Sequence, residues 1–153
     1  MATQFVKQRY SIDLVAQQAL CEHNYARLMK LLPRWDRVDE QRYGIHYGEH
    51  QASVCFLIQQ RCPFTSMLEV SHEADWGHWL APPVMQVRVY HDLRMAEVVS
   101  TLNRQHLAAR YDYPNSNMDL PDEKAQWNRF LGEWLSHCIE GGVSLDSWNT
   151  ASL

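Results

Sequence analysis

The sequence predicts an α+β fold: an N-terminal helix, a four-stranded antiparallel meander, a helix after the last strand, and a C-terminal helix, with the helices packed on one face of the sheet. Three observations carry this reading. Residues near each end of the chain repeat their apolar positions at helical spacing. The stretch between Trp35 and Asp92 instead alternates apolar and polar residues. The connections between those alternating runs are short, which favours neighbouring antiparallel strands.

The first helix is expected from about Asp13 to Leu32. Leu14, Cys21, Tyr25, Leu28 and Leu32 form one stripe, Ser11 or Asp13 can cap the start, and Pro33 forbids continuation. Tyr43, Ile45 and Tyr47 then alternate with Arg42, Gly44 and His46 as a first strand, and 48–51 reads as a turn. Val54, Phe56 and Ile58 make a second strand closed by Arg61-Cys62-Pro63-Phe64, and Leu68, Val70 and His72 a third. A longer connection through Asp75 and Pro82-Pro83 leads to Val87 and Val89 in the fourth. Asp92 is expected to cap a helix through Met95, Val99 and Leu102. The last helix starts near Pro121, carries Trp127, Leu131, Trp134, Leu135 and Cys138 inward, and ends at Gly141-Gly142. This gives one domain over residues 1–142 and a flexible tail over 143–153.

Composition narrows the function classes. With 153 residues, 46% hydrophobic and 21% charged, the chain can bury a core without a metal or disulfide. A net charge of −4 argues against a broad nucleic-acid footprint. Cys21, Cys55, Cys62 and Cys138 form no CxxC pair, and no apolar run reaches the length of a membrane span, so a reduced cytoplasm is expected.

Two metal motifs fail on geometry. His46-Tyr47-Gly48-Glu49-His50 matches H-x-x-E-H, whose two histidines meet at one zinc only on a helix. Here the residues straddle a strand end and a turn. His91-Asp92 resembles a metallohydrolase dipeptide, but it sits where a Val-rich strand ends, and His91 is expected to be a satisfied, partly buried histidine. No nucleophile elbow or phosphate-binding glycine loop occurs. No catalytic residue, metal or cofactor is therefore assigned.

The residues left to explain are Arg88, Tyr90, His91 and Asp92, and the stretch containing Arg110, Tyr111, Asp112, Tyr113 and Asn115. Cations and aromatics so placed build either a site for a small anionic or aromatic ligand or a structural clasp. Arg88 and Tyr90 are expected on the outer sheet face, near Glu69.

The stretches LCEHNYARL from Leu20, VYHD from Val89 and RYDYPN from Arg110 resemble the YqiB-like family of proteobacterial proteins, as does QWNRFLGEWL from Gln126 after Pro121-Asp122-Glu123-Lys124. The resemblance runs from about Tyr10 to Gly141. It implies a small cytoplasmic bacterial protein of unassigned activity, so no catalytic residue transfers. It also implies gene neighbours acting on cyclic AMP and ADP-sugars, a hint of nucleotide metabolism. The expected function is a non-catalytic binding or regulatory domain holding a protein partner or small anionic ligand. The alternative is a small enzyme on a phosphorylated or nucleotide-like metabolite, with Arg88 and Arg110 holding the anion and Asp112 or His91 as acid/base.

Overall fold

The computed structural model describes residues 13–47, 50–74, 84–102 and 121–145. Helix α1 spans Leu14–Leu31 and helix α2 Pro121–Gly141. Between them lie strands β1 (Glu40–Tyr47), β2 (His50–Arg61), β3 (Thr65–Ala74), β4 (Val84–Tyr90) and β5 (Met95–Leu102), and β6 (Val143–Ser144) follows α2. All pairings are antiparallel, in the order β5-β4-β3-β2-β1-β6.

Helix α1 forms where the apolar spacing places it. The Asp13 carboxylate accepts from the Ala16 amide at 3.1 Å, and the Leu32 amide closes the last turn on Leu28 O at 2.8 Å before Pro33. Cys21, Asn24, Leu28 and Leu31 are its buried residues. Leu14, expected in this stripe, is largely exposed, so the buried face begins at Cys21, about two turns later. In α2, Leu131, Trp134, Leu135 and Cys138 are buried as their spacing requires. The helix stops at Gly141; a Cβ on the next residue, Gly142, would strike the Cys138 carbonyl.

The core lies between the helices and one sheet face. Tyr43, Ile45, Val54, Phe56, Leu68, Val70, Met85, Val87, Val89, Ala96 and Val98 point toward Leu28, Leu31, Leu131 and Leu135. Burying each large aliphatic side chain is worth about 1.5–3 kcal/mol, so this cluster dominates stability. Tyr43 enters it with its hydroxyl donating to the Leu31 carbonyl, which ties β1 to the end of α1.

Two expectations about the sheet are corrected. It has six strands rather than four, and the segment expected as a helix after Asp92 is strand β5. A bulge explains the misreading: Val87 pairs with Val98 but Gln86 with Ser100, so Val99 is an extra residue. The inward positions become Ala96, Val98 and Thr101. That break in the period of two lets the segment imitate a helical repeat, although its β-branched run favours a strand. Asp92 consequently caps no helix and lies in the exposed turn between β4 and β5. Val143 and Ser144, assigned by the sequence to the tail, form β6 on the edge of β1.

Candidate functional site

Three connections meet at one end of the sheet: residues 32–39 between α1 and β1, 62–64 between β2 and β3, and 91–94 between β4 and β5. Arg61, the last residue of β2, holds the first of them. Its guanidinium donates to Trp35 O and Val38 O, each at 2.8 Å, and to the Asp39 carboxylate at 2.5 Å. The planar five-donor fork suits one side chain to three acceptors. Loop 32–39 is thereby set so that the Trp35 indole lies edge-on to His91, ring centres 5.3 Å apart.

His91 is the centre of this cluster. Its amide donates to Phe64 O at 2.8 Å, joining two of the connections. Its Nε2 lies 2.9 Å from Ser66 Oγ on β3, and its Nδ1 3.3 Å from Tyr25 Oη on α1. A neutral imidazole donates from one ring nitrogen and accepts at the other, and both hydroxyls can turn to match. Burial pushes the imidazole below its ordinary value, opposed by the nearby Asp92 carboxylate. Ser66 is 1% exposed, so among the described residues its hydroxyl faces His91 and the interior rather than solvent. The arrangement clasps α1, β3 and the β4–β5 turn together. The expectation of a satisfied, partly buried histidine agrees with this geometry.

The other sequence candidates separate from His91. Arg88 projects from the opposite, outer face of β4, exposed between its cross-strand neighbours Met67 and Glu97. Tyr90, on the same face, donates to Glu97 Oε1 at 2.9 Å, and Lys124 of α2 pairs with Glu97 Oε2 at 2.9 Å. Both carboxylate oxygens are thus engaged. Glu69 lies diagonal to Arg88 and accepts instead from Gln59 at 2.7 Å and Gln86 at 3.5 Å. Asp92 is exposed. Arg110, Tyr111, Asp112, Tyr113 and Asn115 lie outside the described residues. His46 and His50 fall on different strands, β1 and β2.

Sequence reasoning missed Tyr25, Trp35 and Ser66 as partners of His91, and Arg61 as the residue that holds loop 32–39. Tyr25 is visible as a stripe residue, but its hydroxyl partner is 66 positions away. No local pattern announces it. Arg61 at a strand end just before Cys62-Pro63 is the available signal, since a long cation beside a loop commonly satisfies its carbonyls.

The chain belongs to a family of proteins of unknown function, DUF1249, whose profile matches residues 27–144. It is 36% identical over 135 residues to the uncharacterized protein YqiB of Escherichia coli K12, covering 88% of this chain and 94% of that protein. The same identity and coverage hold for YqiB of E. coli O157:H7. No solved structure matches. The matched region contains β1–β6 and all of α2 but only the last five residues of α1, so Trp35, Ser66, His91 and the outer face lie within it and Tyr25 lies outside. Among the described residues no helix is long and apolar enough to cross a membrane.

Proposed function

We propose that this protein is a small cytoplasmic, non-catalytic binding or regulatory domain. Its outer sheet face around Arg88 holds a protein partner or a small anionic ligand. The observation carrying the reading is the local charge balance there. Glu97 spends its oxygens on Tyr90 and Lys124, and Glu69 accepts from two glutamines. Among the described residues the Arg88 guanidinium has no bonded carboxylate, so its fork is available to an anion. The enzymatic alternative has Asp112 or His91 as acid/base; Asp112 lies outside the described residues, and the His91 ring nitrogens face Tyr25 and the buried Ser66.

The test is calorimetric titration of inorganic phosphate, nucleotides and acidic peptides into wild type and Arg88→Ala, with phosphate release followed in parallel. Binding that falls at least tenfold in Arg88→Ala at an unchanged melting temperature supports the proposal. Turnover of any of these compounds, or binding indifferent to Arg88, overturns it.

A further inference from the structure

Arg88 and Glu97 stand directly opposite each other across β4 and β5. Side chains so placed have Cβ atoms about 4.5–5.5 Å apart, and opposite charges there ordinarily join. These two do not. Glu97 Oε1 accepts from Tyr90 Oη and Oε2 meets Lys124 Nζ, each at 2.9 Å, so both oxygens are committed elsewhere. The two grips differ in kind. Tyr90 offers a neutral hydroxyl from Arg88's own strand, whereas Lys124 brings a full charge from α2. The fold sets that reach. Asn128 donates from Nδ2 to the Lys124 carbonyl and accepts at Oδ1 from the Val98 amide, each at 2.9 Å. The first turn of α2 is thereby registered against the residue next to Glu97. The Lys124 and Glu97 side chains are 31% and 22% exposed, so solvent screens this pair less than an open surface pair.

We propose that Lys124 is a positioning residue for the outer-face site: it holds Glu97 off its cross-strand neighbour and so keeps the Arg88 guanidinium open to an anion. The inference rests on the reading of Arg88 as the anion-holding residue, and it makes α2, packed on the inner face, a determinant of that site. Without the Lys124 charge, Glu97 Oε2 has no cation except the one opposite it. A charge-assisted pair with Arg88 then forms and occupies the donor fork that an incoming anion needs. Glu69 does not take this role, because it lies diagonal to Arg88 and accepts from Gln59 at 2.7 Å. The other cross-strand neighbour of Arg88, Met67, carries no charge. Glu97 is therefore the carboxylate whose direction decides whether Arg88 is free, and Lys124 sets that direction.

The first reading needs no ligand. The Arg88 Nε–H resonance of the full-length protein, assigned by its loss in Arg88→Met, is expected to exchange with water at least tenfold more slowly in Lys124→Met than in wild type. Adding Glu97→Gln should return it to the wild-type rate, and Lys124→Arg should leave it there. The second reading is calorimetric titration of inorganic phosphate, which should bind Lys124→Met at least tenfold more weakly. A charge acting only through its field gives Glu97→Gln the same effect in either background. Positioning instead requires that Glu97→Gln change phosphate affinity less than threefold beside Lys124 and raise it at least tenfold in Lys124→Met. Should Lys124→Met loosen α2, Lys124→Gln provides the same readings. An Arg88 resonance indifferent to Lys124, or equal effects of Glu97→Gln in both backgrounds, would overturn the inference. Phosphate binding indifferent to Arg88 would instead sink the outer-face reading, with the hold of Lys124 on Glu97 still decided by the resonance.

Discussion

His72 occupies an awkward place for a titratable residue. It is 5% exposed beneath α2, its ring centre 4.1 Å from that of Trp134 and 5.9 Å from that of Phe130. Neither ring nitrogen has a hydrogen-bond partner among the described residues. Desolvation pushes its pKa down to about 4 from an ordinary 6.5. Because the folded value lies below the unfolded one, stability from the neutral ring is complete above pH 6.5 and is lost as pH falls toward 4. The integrated loss is on the order of 3 kcal/mol. His72→Leu removes both buried polar atoms, so urea titrations from pH 7 to pH 4 should show a distinctly flatter acid limb. An acid limb identical to wild type would mean that His72 does not set it.

His91 gives the contrasting case of a histidine whose nitrogens are both engaged. Ser66→Ala leaves Nε2 facing a methyl group and should cost about 1–2 kcal/mol by chemical denaturation. Tyr25→Phe should cost less, because its contact is longer, at 3.3 Å against 2.9 Å. Neither change should alter anion binding at Arg88, on the other sheet face. A loss of binding in Ser66→Ala without a loss of stability would return His91 to the functional site.

At the level of elements, α2 completes the β5 edge through one side chain. The Asn128 Oδ1 accepts from the Val98 amide at 2.9 Å, while its Nδ2 donates to Lys124 O at 2.9 Å. Its own carbonyl accepts from Asn24 Nδ2 at 3.0 Å, so α1, α2 and β5 share one buried polar chain. Asn24 Oδ1 in turn accepts from Arg27 at 3.0 Å. Asn128→Ala strands a buried strand amide and should destabilise by about 2–3 kcal/mol. Hydrogen exchange at Val98 should accelerate more than exchange at Val54 in the sheet centre. Equal acceleration at both would show that the asparagine acts only through global stability.

That edge also shows what the sequence could and could not disclose. Both helices, the antiparallel meander and the inward aliphatic residues were legible because period and turn chemistry are local. Strand β5 was not, since the extra Val99 breaks its alternation. Asn128 reads as an ordinary polar residue inside the α2 stripe until β5 is known to lie beside it. For the candidate site, the sequence grouped Arg88, Tyr90 and His91 by adjacency. The strand end at Tyr90 and the turn after it send Arg88 and His91 to opposite sides of the sheet. The partners of His91 come from three elements, and only the tertiary fold brings them together.

For the whole molecule, burial of thiols sets the other side of the pH profile. Desolvation pushes Cys21 up to about 11 and Cys138 to about 12, against an ordinary 9.0. Above pH 9 the unfolded chain releases these protons and the folded chain retains them, so their contribution to stability falls as pH rises. Together with His72, they should give a plateau from about pH 6.5 to 9 that falls on both sides. Thiol labelling gives an independent check. Cys62, exposed in the β2–β3 turn, should react first, half-buried Cys55 more slowly, and Cys21 and Cys138 only at the rate of opening. Prompt modification of all four would contradict the packing of α1 and α2 on the sheet.

Asn128 and β6 share one further property: both come later in the chain than the strands whose edges they close. During synthesis, residues 40–102 leave the ribosome as five pairable strands before either closure exists. Backbone groups at Val98 on one flank and Arg42 to Gly44 on the other await residues made some thirty to a hundred positions afterwards. The nascent sheet thus passes through an interval with two open flanks, when neighbouring chains on a polysome can pair with it. Completion of the C-terminal helix ends that exposure at β5, and the three residues behind Gly142 end it at β1.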